Sequence, residues 1–103
     1  GKLIRPKIPK YNSFNAHIYF IILNDYETRE SFIAKMKEYK IECTSHYVPL
    51  HLSPYGKKFV SPKNRLNNTE KIADRLVRLP LWPGLEKYLD FVIEKAIITI
   101  NSF

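Results

Sequence analysis

Two histidines, two tyrosines and two prolines crowd into His46-Tyr47-Val48-Pro49-Leu50-His51-Leu52-Ser53-Pro54-Tyr55-Gly56, and this run restricts the fold more than any other stretch of the 103 residues. Each proline fixes its own φ and disfavours helical geometry in the residue before it. A regular helix is therefore excluded, and a stiff, extended segment leaving the end of a strand is expected, with Leu50 packing inward as its anchor. Stiffness favours recognition, because the ordering cost of the loop is met by the scaffold before a ligand arrives. His46, Tyr47, His51 and Tyr55 all hydrogen-bond near neutral pH without needing a charge. That chemistry suits a neutral polar ligand such as a sugar better than a phosphate or a metal. The same residues equally suit a proline-stiffened packing loop with half-buried aromatics.

Other site chemistries fit less well. His46 and His51 are five apart on a non-helical segment with only Cys43 nearby, which matches no zinc spacing, so no metal site is read here. Cys43 with either histidine would be a nucleophile–base pair, but a lone cysteine is more often a small buried hydrophobe. His17 begins an apolar strand and is most simply a strand-end residue.

The run sits in a coarse order of strand, helix, strand, long loop, helix, turn, helix. His17–Leu23 is almost continuously apolar, as expected for a strand covered on both faces. Thr28 is expected to cap a helix carrying Phe32, Ile33, Met36 and Tyr39 at helical spacing. Ile41–Tyr47 is the second expected strand. Residues 53–68, with clustered proline, asparagine and lysine, read as a surface excursion. Asn67 with Glu70 resembles a capping pair opening a helix that places Ile72, Leu76 and Leu79 on one face before Pro80 stops it. A short third strand near Arg78–Leu81 is the alternative there. The last helix, about Leu85 to Ile100, repeats Leu85, Leu89, Val92, Ala96 and Ile100, read as core. Together these predict an α/β (α+β) two-layer sandwich, with a small mixed sheet of two to three strands packed with three helices.

Length allows one domain with one modest core. The formal net charge of +7 is concentrated in residues 2–10, which hold four bases and no acid, and in residues 57–78, which hold seven bases and two acids. Such patches serve nucleic acid or a phosphorylated ligand, or they are a solvated face that aids solubility. Lys57 and Lys58, directly after the loop, are the candidates for a diphosphate contact. The single cysteine excludes an internal disulfide and suits a reducing cytoplasm. The basic start is not followed by the apolar stretch of a signal peptide, and Ile18–Leu23 is too short to span a bilayer.

Three stretches in order resemble the C-terminal domain of the DegT/DnrJ/EryC1/StrS sugar aminotransferases. These are the His46–Gly56 run, the entry Asn15-Ala16-His17-Ile18-Tyr19-Phe20-Ile21, and the turn Leu79-Pro80-Leu81-Trp82-Pro83-Gly84-Leu85. The resemblance implies that residues 1–14 connect to an N-terminal pyridoxal-phosphate domain not present here, and that 15–103 form the small domain. It implies cytoplasmic enzymes, homodimeric, that pass an amino group from an amino acid such as glutamate to a nucleotide sugar of the kind used for lipopolysaccharide. Within the family the likeness is to members acting on dTDP-linked 4-keto-6-deoxy sugars. It implies that His46 and Tyr47 face the sugar and cofactor, while His51 and Tyr55 line the entrance or the subunit boundary. No catalytic residue is expected in this chain. Holding pyridoxal phosphate takes a lysine, an acid beside the pyridine nitrogen and a phosphate cup. With three glycines, Gly1, Gly56 and Gly84, such a cup is hard to build, so the isolated chain is expected to bind no cofactor and to be silent. No membrane and no nucleic-acid partner are expected. The rival readings are a basic nucleic-acid module that stacks bases on Tyr19, Phe20 and Tyr47, and a purely structural dimerisation domain.

Overall fold

The computed structural model describes residues 1–61 and 65–103; residues 62–64, which belong to the expected surface excursion and carry Lys63 of the basic stretch, lie outside them. The chain runs β1 (Tyr19–Ile22), α1 (Tyr26–Glu38), β2 (Thr44–Ser45), α2 (Asn67–Ala73), β3 (Leu76–Leu79) and α3 (Leu89–Asn101). Single 3-10 turns lie at Leu50–Leu52, Gly56–Lys58 and Leu85–Tyr88. The two-layer sandwich read from the sequence is the fold observed, and within its sheet both pairings are antiparallel, in the order β1-β3-β2.

β3 is the central strand, where the spacing of Ile72, Leu76 and Leu79 had suggested a continuing helix. The helix stops at Ala73 after seven residues. Leu76–Leu79 gains a partner on each side, and that double pairing outweighs a local apolar spacing that fits either structure. Pro80 then explains why the outer strands are shorter than expected. Tyr19 lies opposite Leu79 and Thr44 opposite Arg78, so one register sets Ile18 and Glu42 against Pro80, which has no N–H to donate.

The core forms on the face of the sheet that carries Ile21 and Val77. Phe32 and Met36 of α1, Val92 and Ala96 of α3, and Leu23, Ile41, Cys43 and Leu85 close around them. Asp25, not Thr28, caps α1: its carboxylate accepts a 2.7 Å bond from the Thr28 N–H. That hydrogen bond holds the Asp25 carboxyl below its ordinary value. At the far end Ile41 N–H bonds to Met36 O and Lys40 N–H to Lys37 O, a Schellman closure with Ile41 buried in the core cluster with Met36. Lys40 takes the left-handed position there, with φ 61°. Trp82-Pro83-Gly84-Leu85 is a type II turn, closed by Leu85 N–H on Trp82 O, with Gly84 at φ 97°.

The capping pair read at Asn67 and Glu70 does not form. Leu66 occupies the cap position without a side-chain bond, and Glu70 is used elsewhere. The N-terminal residues lie on the domain: Ile4 bridges Ile22 by two 2.9 Å backbone bonds, and Leu3 packs against the core. Lys2 Nζ reaches the Ile100 and Asn101 carbonyls at the end of α3 and Phe103 O just past it at 3.0 Å, where a cation meets the negative helix terminus. No helix among the described residues is long and apolar enough to cross a membrane.

Candidate functional site

Strand alternation puts Leu76 on the sheet face opposite Val77, away from the core. A groove of about 660 Å³ lies over it, with residues 46–50 as one wall and Asn68, Thr69, Ile72 and Ala73 of α2 as the other. The loop wall is shaped by its own short-range contacts. Pro49, at φ −51° and ψ 135°, turns the chain out of its extended course into the first 3-10 turn. Ser53 Oγ donates to Leu50 O at 2.8 Å and accepts from Gly56 N–H at 2.9 Å. Gly56 is buried so tightly that a Cβ there would stand 1.7 Å from Leu50 O. This close approach of two backbone segments needs glycine.

Leu50 does not pack inward as expected; it is 79% exposed. Its backbone, engaged by Ser53 and pressed against Gly56, is what faces the loop interior, so the side chain is turned outward to the groove. Half-buried His51 and Leu52 take the inward places.

Of the residues singled out from the sequence, the structure brings His46 and Tyr47 together at the groove. Their rings lie 4.9 Å apart and tilted, and Tyr47 is 79% exposed. Neither side chain makes a hydrogen bond among the described residues, so the donors and acceptors of both are open to a ligand. His51 is turned the other way: its Nε2 lies 3.3 Å from Glu70 Oε1, and its side chain is only 9% exposed. The Tyr55 ring lies 5.1 Å from that of Phe59, tilted by 58°, and Lys58 Nζ sits 5.5 Å from the centre of the Tyr55 ring. Tyr55, Lys57 and Lys58 do not line the groove.

Glu70 is the residue that sequence reasoning missed. Arg65 Nη2 donates to its second oxygen at 2.7 Å. That bond first, and the His51 bond with it, holds the carboxyl below its ordinary value. The available signal was an acid placed within a strongly basic stretch. Cys43 is buried and its thiol is pushed up to about 11 by loss of solvent, so it is a packing residue, not a nucleophile. No group of three metal-ligating side chains occurs among the described residues.

Pyridoxal phosphate does not fit the residues present. The described lysines are exposed except Lys95, which lies over Tyr39 and Phe91 with Glu94 at 2.8 Å, in no enclosed cavity. Gly56, the one glycine inside a loop of the groove, leaves its space to Leu50 O and not to a phosphate. The rings proposed for base stacking do not share a surface either. Tyr19 and Phe20 are neighbours on β1 and so point to opposite faces, and Tyr47 lies beyond the strands.

Residues 2–96 match the DegT/DnrJ/EryC1/StrS aminotransferase family. The chain belongs to that family. An uncharacterised protein of Methanocaldococcus jannaschii is 34% identical over 87 residues, which cover 81% of this chain and 22% of that protein. A DegT/DnrJ/EryC1/StrS aminotransferase of Brucella abortus superposes with a TM-score of 0.77 at 26% identity, covering 93% of this chain and 26% of the other. The aminotransferase TlmJ of Streptoalloteichus hindustanus shares the fold, with a TM-score of 0.84 at 19% identity over 98% of this chain and 27% of its own. The chain thus spans about a quarter of the length of these relatives. It is an aminotransferase-family domain, and its groove carries the motif by which the sequence resembled the family.

Proposed function

We propose that this chain is the C-terminal small domain of a pyridoxal-phosphate-dependent nucleotide-sugar aminotransferase, and that its loop forms one wall over the sugar. The observation that carries the reading is the pair His46 and Tyr47, exposed and without hydrogen-bond partners among the described residues, on the rim of a groove that is largely apolar apart from Asn68 and Thr69. Sugar sites combine these two features, an aromatic face for the ring carbons and uncharged donors and acceptors for the hydroxyls. The apolar floor, with Ile72 and Leu76, helps keep water from the reacting centre. The substrate we propose is a dTDP-linked 4-keto-6-deoxy sugar, the amino donor an amino acid such as glutamate, and the product dTDP-4-amino-4,6-dideoxygalactose. Because the described residues make no cofactor cup, the cofactor belongs to another part of the longer protein. Tyr55, Lys57 and Lys58 then lie toward the outer end of the ligand, where exposed lysines give a diphosphate a weak, salt-screened attraction.

In the full-length protein, His46→Ala and Tyr47→Ala should each lower kcat/KM for the keto-sugar nucleotide at least tenfold, about 1.4 kcal/mol, with an unchanged unfolding midpoint. Turnover within twofold of wild type in both variants would sink the reading.

A structural role in assembly has an observation of its own. A second trough, about 550 Å³, runs between β1 and α3 and is walled by Phe14, Tyr19, Leu81, Leu89, Ile93 and Ile97. Leu89 was expected in the core and is instead 42% exposed, and a helix that is apolar on nearly all sides calls for cover. The two roles use opposite faces of the sheet and are compatible. The cover we propose is the rest of the longer polypeptide or its homodimer partner. Ile93→Asp with Ile97→Asp should shift the full-length protein to aggregated or smaller species in light scattering. An unchanged mass and solubility would remove the assembly role.

A further inference from the structure

We infer that Glu70 is a positioning residue: acting through His51, it holds the His46–Gly56 loop against α2 and so fixes the width of the groove. The clasp itself is independent of the sugar reading, while its consequence for substrate rests on that reading.

The two walls of the groove come from segments distant in sequence, and among the described residues one hydrogen bond joins them. Among the described residues, every other hydrogen bond made by residues 48–60 stays inside that segment: Leu52 with Pro49, Ser53 with Pro49, Leu50 and Gly56, Lys57 with Ser53, Lys58 with Tyr55, and Phe59 with Gly56. The loop is therefore a braced unit whose one polar tether among the described residues runs from His51 Nε2 to Glu70 Oε1 at 3.3 Å. The tether sits in a sheltered place, since the two side chains are 9% and 14% exposed. Arg65 bonds the other carboxylate oxygen from a position 70% exposed, which favours the ionised form and leaves Oε1 free for His51. An ionised carboxylate only accepts, so the hydrogen lies on His51 Nε2. Glu70 projects from the same short helix that contributes Asn68, Thr69 and Ile72 to the groove, so a fixed His51–Glu70 distance fixes the distance between the walls.

The chemistry predicts how substitution grades. Glu70→Gln keeps an acceptor oxygen for His51, whereas Glu70→Ala removes the polar tether between loop and helix. Arg65→Ala removes an exposed arm and leaves the tether in place.

The test uses the full-length protein, with amide hydrogen exchange read along the chain and dTDP-4-keto-6-deoxyglucose as the substrate. Glu70→Ala should speed exchange at residues 50–59 about tenfold, leave β1, β3 and α1 as in wild type, and raise KM several-fold with kcat within twofold. Glu70→Gln should recover most of both effects, and Arg65→Ala should show little of either. Wild-type exchange at 50–59 in Glu70→Ala overturns the inference. So does faster exchange spread evenly over the sheet and helices, which marks general destabilisation, and so does a loosened loop with an unaltered KM. Failure of the sugar reading looks different: wild-type protein does not turn over the nucleotide sugar, and loop exchange alone then supports or overturns the clasp.

Discussion

On one face of the sheet Ile21 and Val77 meet Phe32, Met36, Val92 and Ala96 in a close-packed core, whereas on the other Leu76 floors a groove whose far wall is a loop. The first face is redundant. Ten apolar residues share its burial, and each side chain removed costs transfer energy plus a cavity without changing which contacts define the fold. The second face is not redundant. Its geometry depends on one glycine, one serine hydroxyl and one carboxylate, each without a substitute nearby. The proposed sugar contact falls on the second face, where the His46 and Tyr47 side chains stay exposed because the fold does not use them up.

The largest effect should come from the core side. Phe32 is fully buried, and Phe32→Ala is expected to cost about 3–5 kcal/mol, seen as a lower denaturant midpoint for the whole domain. A loss below ~1 kcal/mol would mean that the core refills easily and that the two faces differ less than their geometry suggests. The corresponding change on the groove side is Gly56→Ala, where the added Cβ meets Leu50 O at 1.7 Å. Overpacking of this type costs about 1–3 kcal/mol or more, and here it falls on one loop. Exchange should rise at residues 50–59 and turnover should drop, with β1 and β3 protected as before. If Gly56→Ala unfolds the whole domain at once, the loop is part of the core and the comparison breaks.

Much of the core face was legible in the chain and little of the groove. The apolar run before Leu23 announces β1, and the helical spacing of Phe32 and Met36 announces α1, because burial leaves a periodic record along one segment. β3 was harder. Leu76 and Leu79 continue a helical spacing from Ile72, and only pairing with β1 and β2, at residues far away in sequence, decides for a strand. His46 and Tyr47 stood out because their residue types are unusual together beside Pro49. Asn68 and Thr69 did not stand out, and Glu70 did so only as a capping partner of Asn67, since their role arises from where α2 lies against the loop, and such a meeting leaves no local pattern. Leu50 shows the same limit: an apolar side chain suggested an anchor, yet the close approach at Gly56 turns that side chain outward.

Smaller effects test the ends of α1. Asp25→Ala removes the acceptor of the Thr28 N–H and should lower the unfolding midpoint at neutral pH. The pH dependence has a definite sign. The carboxyl is held below its ordinary 3.8 in the folded chain, so its contribution is fully present above that value and is lost as pH falls through the lower, folded one. Wild type and Asp25→Ala should therefore differ at pH 7 and converge in strong acid. A difference that persists unchanged to the most acidic pH at which the domain stays folded would show that the carboxylate charge plays no part in the cap.

The smallest change should be a gain. Lys40 closes the Schellman motif at φ 61°, a position where Gly84 at φ 97° shows what this chain uses when a glycine is present. A left-handed residue with a Cβ costs roughly 1–2 kcal/mol against the alternatives, and Lys40→Gly removes that cost. The gain is reduced because glycine loses more freedom on folding, by about 0.5–1 kcal/mol. A net stabilisation of roughly 0.5 kcal/mol is expected, with Lys40→Asn in between, since asparagine tolerates this region better than lysine. Lys40 is exposed and forms no hydrogen bond through its side chain among the described residues, so nothing in the core or the groove should move with it. Equilibrium unfolding of the three proteins decides the point: if glycine is the least stable, the turn after α1 is held by its Ile41 anchor strongly enough that backbone preference at Lys40 no longer matters.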